Sequence, residues 1–115
     1  MLGFEILEAK PELARARFDV TDATKQEFGI VHGGTYAAAA EYLSSVATHV
    51  HVAQEGRRAL GQTNHTTFLR PVSEGSVTLA ARRRHGGRTS WVWDVDFEDD
   101  AGRLCAISRV IIAVR

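Results

Sequence analysis

Between Glu27 and Glu55 the chain carries a single residue of the Asp, Glu, Lys and Arg type, Glu41. Around it lie Gly33-Gly34, Ala37 to Ala40, Leu43, Val46, Ala47, Val50 and Val52. Alanine loses no side-chain freedom in a helix, so this run predicts a helix from about Gly33 to Ala53. At ~1.5 Å per residue that helix is roughly 30 Å long. It is apolar on most faces and is therefore expected to be buried. Gln54-Glu55-Gly56-Arg57 closes it, with Gly56 as the stop. A chain of 115 residues with one such helix must supply a broad surface to cover it.

The rest of the sequence supplies that surface as strands. Ala14, Ala16, Phe18 and Val20 alternate with Arg15, Arg17 and Asp19, the period of a half-buried strand, and Leu2, Phe4 and Ile6 hint at a shorter one before it. After Arg58 four strands are expected, over Ala59 to Leu69, Ser76 to Arg84, Arg88 to Glu98 and Arg103 to Val114. In the third, Trp91, Trp93, Val95 and Phe97 share one face, opposite Asp94, Asp96 and Glu98. Ser73-Glu74-Gly75, His85-Gly86-Gly87 and Asp99-Asp100-Ala101-Gly102 read as turns, so these strands are expected to follow one another as antiparallel hairpins. The fold class is α+β: an antiparallel sheet of five or six strands wrapped round one long central helix, in a single domain over residues 1–115.

Composition narrows the functions open to such a fold. Fourteen basic and fourteen acidic side chains cancel, so no global field draws the chain to nucleic acid or to an anionic membrane. No apolar run reaches the ~18 residues of a spanning helix, and the opening Met1-Leu2-Gly3-Phe4-Glu5 lacks the basic start and long apolar core of a signal peptide. Cys105 has no partner for a disulfide, and the five histidines form no ligand set, since His49 and His51 at i and i+2 on a helix face apart. A cytoplasmic protein without bound metal is expected.

Chemistry concentrates near Glu41. A buried, unpaired carboxylate costs several kcal/mol or gives up its charge, and functional sites are where that is tolerated. The alternative is a helix with one wet face to which Glu41 points. Ser45 lies one turn further along, able to hold a water or orient the carboxylate, although a small helical serine is more often plain packing. His32-Gly33-Gly34 precedes the helix, leaving first-turn N–H groups open to a developing oxyanion; the plainer reading is a glycine-rich helix start. Arg82-Arg83-Arg84-His85-Gly86-Gly87-Arg88 is the one dense basic stretch, either a solvated hairpin end or an anion site.

The stretch from Thr24 to Gly34, with Glu41 nine residues after His32 and then Ser45, resembles the hot-dog-fold acyl-CoA thioesterases. More narrowly it is similar to the branch of the 4-hydroxybenzoyl-CoA and 1,4-dihydroxy-2-naphthoyl-CoA thioesterases, related to the phenylacetate-pathway thioesterases. The latter carry aspartate where this chain has Glu41. The resemblance continues through Gly61, Phe68-Leu69-Arg70-Pro71, Glu74-Gly75, His85-Gly86-Gly87-Arg88 and Gly102-Arg103-Leu104.

It implies a hot-dog fold and hydrolysis of an acyl-CoA, in which Glu41 attacks the thioester carbonyl or activates water. The Gly33 N–H would polarise the carbonyl oxygen, Gln26 would contact the thioester, Ser45 would position water, and His32 would support loop and substrate. CoA would lie along the turn of His85, Gly86, Gly87, Arg88 and Thr89, with Gly61, Phe68, Leu69 and Arg70 opposite, and its phosphates would meet neighbouring arginines. Tyr36, Tyr42, Val46 and Phe68 suggest an aromatic or medium-sized acyl group. No cofactor is implied beyond the CoA of the substrate. The site would form between two protomers of a homodimer or homotetramer, with Glu41 facing the partner's Gln26 and Gly33. Two other readings are a non-catalytic acyl-CoA-binding module, for which Glu41 and Gln26 would be dispensable, and a hot-dog dehydratase or hydratase, whose catalytic histidine sits in a different loop context.

Overall fold

The computed structural model describes residues 3–115. Two strands, β1 (Glu5–Ala9) and β2 (Leu13–Asp19), precede the helix α1 (Gly33–Val52), and β3 (Ala59–Phe68), β4 (Ser76–Gly86), β5 (Ser90–Glu98) and β6 (Leu104–Val114) follow it. All six strands join one antiparallel sheet in the order β1-β2-β4-β5-β6-β3. Phe4 and Ile6 pack against the core from the first edge, while Leu2 lies outside the described residues.

The face of the sheet under α1 holds the core. Ala14, Ala16 and Phe18 from β2, Val77, Leu79 and Ala81 from β4, Trp91, Trp93, Val95 and Phe97 from β5, and Val110 and Ile112 from β6 are all buried under the helix. The alternation read in β2 and β5 is therefore the inward face. Each large apolar side chain so buried contributes about 1.5–3 kcal/mol relative to exposure. Trp93 is fully buried, and its indole N–H donates to Thr48 Oγ1 on the helix at 2.9 Å. Thr48 in turn donates to the Ser44 carbonyl at 2.8 Å, so the polar groups between helix and sheet are tied together.

Two expectations are corrected. The segments β3 and β4 are not a hairpin. β3 pairs with β6 at the far edge of the sheet, and residues 69–75 carry the chain back to β4, between β2 and β5. The reason lies in composition: β4 and β6 present largely apolar inner faces that suit the centre, whereas Gln62 to Thr67 are all polar and suit an edge. The helix, secondly, is not buried all round. One sheet covers one side, burying Thr35, Tyr36, Ala39, Ala40, Leu43, Ser44, Ala47, Thr48 and Val52, and leaves Glu41, Tyr42, His49 and Val50 exposed in the single chain.

Candidate active site

The helix start is built by the loop before it. Thr24, fully buried, donates its hydroxyl to the Thr21 carbonyl and accepts the Thr21 N–H, both at 2.9 Å, and its own carbonyl receives the His32 N–H at 2.7 Å and the Thr35 hydroxyl at 3.2 Å. This pins residues 21–31 against α1. His32 caps the helix: its Nδ1 accepts the Gly34 N–H at 3.0 Å. An accepting Nδ1 carries no proton, so neutral His32 holds its hydrogen on Nε2 and is a donor outward. The Gly33 N–H has no partner among the described residues. Gln26 is fixed by the Phe28 N–H, which donates to its Oε1 and leaves the side-chain NH2 as a free donor.

These donors border one groove of about 520 Å³, lined by Gln26, Ile30, Val31, Gly33, Tyr36, Phe68, Leu69, Arg70 and Pro71. The Phe68 ring packs directly on Gly33, where an added Cβ would force the ring to move. Phe68, Leu69 and Arg70 thus stand beside Gln26 and Gly33. Tyr36 lies behind them with its hydroxyl buried and without a hydrogen-bond partner among the described residues, and burial pushes its phenol well above the usual range. Burial also raises the Cys105 thiol, whose Sγ donates to the Phe97 carbonyl, so no thiolate nucleophile is at hand.

Glu41 lies elsewhere. Two helical turns separate it from Gly33, about 12 Å along the axis. Its carboxylate rests in a small cavity of about 150 Å³ with Gly61, Gln62, Thr63 and Asn64 of β3. A side chain at position 61 would collide with it, a Cβ there falling 2.9 Å from Glu41 Cδ. Among the described residues Glu41 forms no hydrogen bond or ion pair with another side chain, and Ser45 stands half-buried one turn further on.

The glycine turn forms a third cluster, where Gly86, Gly87 and Arg88 share a cavity of about 240 Å³ with His51, Val52, Glu55, Arg57, Arg83 and Trp91. The Trp91 indole donates to the Gly87 carbonyl at 3.0 Å, the Arg57 guanidinium donates to the Arg88 carbonyl, and the Arg83 guanidinium lies 4.5 Å over the Trp91 ring. His85 packs against Gly87, and Thr89 is exposed in the same turn. One chain therefore keeps apart three groups that the resemblance joins. Gly61 stands with Glu41, Arg70 stands with Gln26, and neither lies in the cavity of Arg88.

The family model of the thioesterase superfamily matches residues 28–106. The chain belongs to that superfamily. This thioesterase is 37% identical over 113 residues to the proofreading thioesterase EntH of Klebsiella pneumoniae, covering 98% of this chain and 82% of the relative. A crystal structure of a Haemophilus influenzae thioesterase superposes with a TM-score of 0.92 at 34% identity, over 99% of this chain and 79% of that one. A Staphylococcus aureus thioesterase superposes at 0.93 with 26% identity, covering 97% and 93%. The latter has been solved with a glutamine replaced by alanine, and also with a glutamate replaced by alanine. These likenesses establish the hot-dog fold and thioester hydrolysis as the family's activity.

Sequence reasoning passed over Thr24, which holds the loop, and Asn64, which lines the cavity of Glu41. The Thr21-Asp22-Ala23-Thr24 turn pattern was a signal for the first. For the second there was none, since its partner is a helix carbonyl 27 residues away.

Proposed function

We propose that this thioesterase hydrolyses an aryl- or medium-sized acyl-CoA to the free acid and CoA, at a site assembled from two chains with Glu41 as its carboxylate. The observation that carries the reading is the division just described. The donors for an oxyanion, Gly33 N–H and the Gln26 amide, and the carboxylate that would attack stand in different cavities, yet both open near β3, whose outer edge is unpaired. Pairing β3 with β3 of a second copy about a two-fold axis would bring Glu41 of each chain to the partner's Gln26 and Gly33. It would also cover the exposed face of α1 and give Glu41 the burial that a single chain lacks.

In that site the thioester oxygen would lie at the Gly33 N–H and the Gln26 amide, which stabilise the negative charge as the carbonyl becomes tetrahedral. Glu41 would take a proton from water that adds to the carbonyl carbon, collapse expelling the CoA thiolate and leaving the acid. Alternatively Glu41 would itself add, collapse then leaving a Glu41 acyl anhydride that water hydrolyses to free acid and carboxylate. Ser45 would hold the water, and His32 Nε2–H would donate to substrate or loop. Spacing gives further support: Gln26 and Glu41 are fifteen residues apart, as are the glutamine and glutamate replaced in the Staphylococcus aureus structures.

The CoA nucleotide would lie on the turn of Gly86, Gly87 and Arg88, where Arg57 and Arg83 add charge. The groove beside Tyr36 and Phe68, closed by the partner's Tyr42 and Val46, would take the acyl group. A panel of benzoyl-, hydroxybenzoyl-, phenylacetyl-, dihydroxynaphthoyl- and straight-chain acyl-CoAs, with thiol release measured, identifies the acyl class. On the best substrate Glu41→Gln is expected to lower kcat at least ~10²-fold with folding and CoA affinity retained, and Glu41→Asp to be milder. Glu41→Gln with wild-type kcat would favour a non-catalytic role for the helix carboxylate.

A further inference from the structure

Strand β3 reaches the helix through an unusual register. Gly61 pairs with Ile112 and Thr63 with Ile111, so Gln62 is an extra residue in the strand. Side chains alternate faces along a strand, and residues 61 and 64 would ordinarily point to opposite sides; the bulge turns both towards the helix. Gly61 then leaves the space that the Glu41 carboxylate fills, and Asn64 closes the same cavity.

Asn64 is held in one orientation by a directed chain of hydrogen bonds. Its Nδ2 donates to the Ala37 carbonyl at 2.8 Å, and its Oδ1 receives the Thr66 hydroxyl at 2.7 Å. Thr66 has one proton and has given it to Asn64, so across the 2.8 Å contact with Ser108 the Ser108 hydroxyl is the donor. Ser108 is buried on β6, a central strand. Ala37 stands one turn before Glu41, and its carbonyl is the one that accepts the Glu41 N–H in the helix. The chain from Ser108 through Thr66 and Asn64 thus ends on the helical turn that carries Glu41.

We propose that Asn64, oriented by Thr66 and Ser108, is a positioning residue for Glu41. It fixes the distance between α1 and the bulge of β3, and so the depth at which the carboxylate stands beside Gly61. The proposal rests on Glu41 being the reacting carboxylate. Its effect belongs to kcat rather than KM, because the clamp lines neither the groove of Gln26 and Gly33 nor the cavity of Arg88, and small displacements of a reacting group are felt in the transition state.

The test measures steady-state hydrolysis by the full chain, with benzoyl-CoA or the fastest substrate of the panel, for Asn64→Ala, Thr66→Val, Thr66→Ser and Glu41→Gln. Asn64→Ala and Thr66→Val are expected to lower kcat about tenfold with KM within about twofold, and Thr66→Ser, which keeps the hydroxyl, to restore wild-type kcat. Should Asn64→Ala not fold, the Thr66 pair decides alone. Wild-type kcat in Thr66→Val and in any folded Asn64→Ala, with Glu41→Gln inactive, overturns the proposal. So does an equal loss in Thr66→Ser and Thr66→Val. An active Glu41→Gln would instead remove the reading on which the proposal rests.

Discussion

The two edges of the sheet are built differently. β1 has five residues, an irregularity between Ile6 and Glu8, and a fringe of charge in which Glu5 meets Arg17 at 3.3 Å and Glu8 meets Lys10 at 3.6 Å and Arg15 at 4.0 Å. Short length, bulges and charges are the means by which edges avoid pairing with other chains. β3 has ten residues and not one Asp, Glu, Lys or Arg, and it leaves Leu60 and Phe68 half exposed. One edge is closed and the other is open, and the open one carries Gly61, Asn64 and Phe68 beside the two halves of the candidate site. The difference supports the proposed function, which gives the open side of β3 to another copy of the chain.

Charge placed on the open edge should break the comparison most severely. Thr63→Lys combined with Thr67→Lys sets like charges against each other across a two-fold strand pair, and is expected to reduce the mass in light scattering towards the 12.6 kDa of one chain and to lower kcat at least ~10²-fold. The matching change at the closed edge, Leu7→Lys, should leave mass unaltered and kcat within about twofold. Loss of activity in Thr63→Lys/Thr67→Lys without change of mass would separate the edge from assembly.

A smaller effect is expected at the glycine turn, remote from either edge. Arg88→Ala should raise KM about tenfold while kcat changes little, because a phosphate contact is made equally in ground and transition states. Equal KM values would take the turn out of the site. Smaller still in activity, though visible in stability, is the buried face of the helix. Thr48→Val orphans the Trp93 indole N–H and should cost about 1–3 kcal/mol in urea unfolding with kcat per folded chain unchanged. A drop in kcat with stability intact would show that the buried side of α1 bears on the chemistry.

Much of this was legible before any coordinates. The charge-poor run gave the helix to within a residue at each end, because alanine propensity and the Gly56 stop agree; Gly56 does take the left-handed conformation, at φ 71°. The alternation of Trp91, Trp93, Val95 and Phe97 gave the inner face of β5, since period two leaves no other choice. The place of β3 was not legible as read: turn residues at Ser73 to Gly75 fit a hairpin as well as a crossover, and only the polar run from Gln62 to Thr67 argued for an edge. The bulge at Gln62 left only a weak mark, the lone Gly61 inside a strand pattern, because no positive φ is needed there. Exposure of Glu41 stood only as the alternative of a wet helix face, for a different reason: helix composition reports that a face will be covered, not whether the same chain covers it. A short-range pattern therefore singled out Glu41, His32 and Gly33 as candidates, while Asn64, whose hydrogen bond to the helix spans 27 residues of sequence, waited for the fold.

The claim that the site is shared between chains is tested most directly by mixing two damaged chains. Glu41→Gln and Gln26→Ala, each purified alone, should be nearly inactive. Co-expressed in equal amounts, half of the dimers pair one with the other, and in each of these one of two sites is free of either substitution. The mixture is predicted to recover about a quarter of wild-type kcat per chain. Activity no higher than the mean of the two variants, with mixed dimers demonstrated by differential tags, would place Glu41 and Gln26 in the same chain's site and contradict the account.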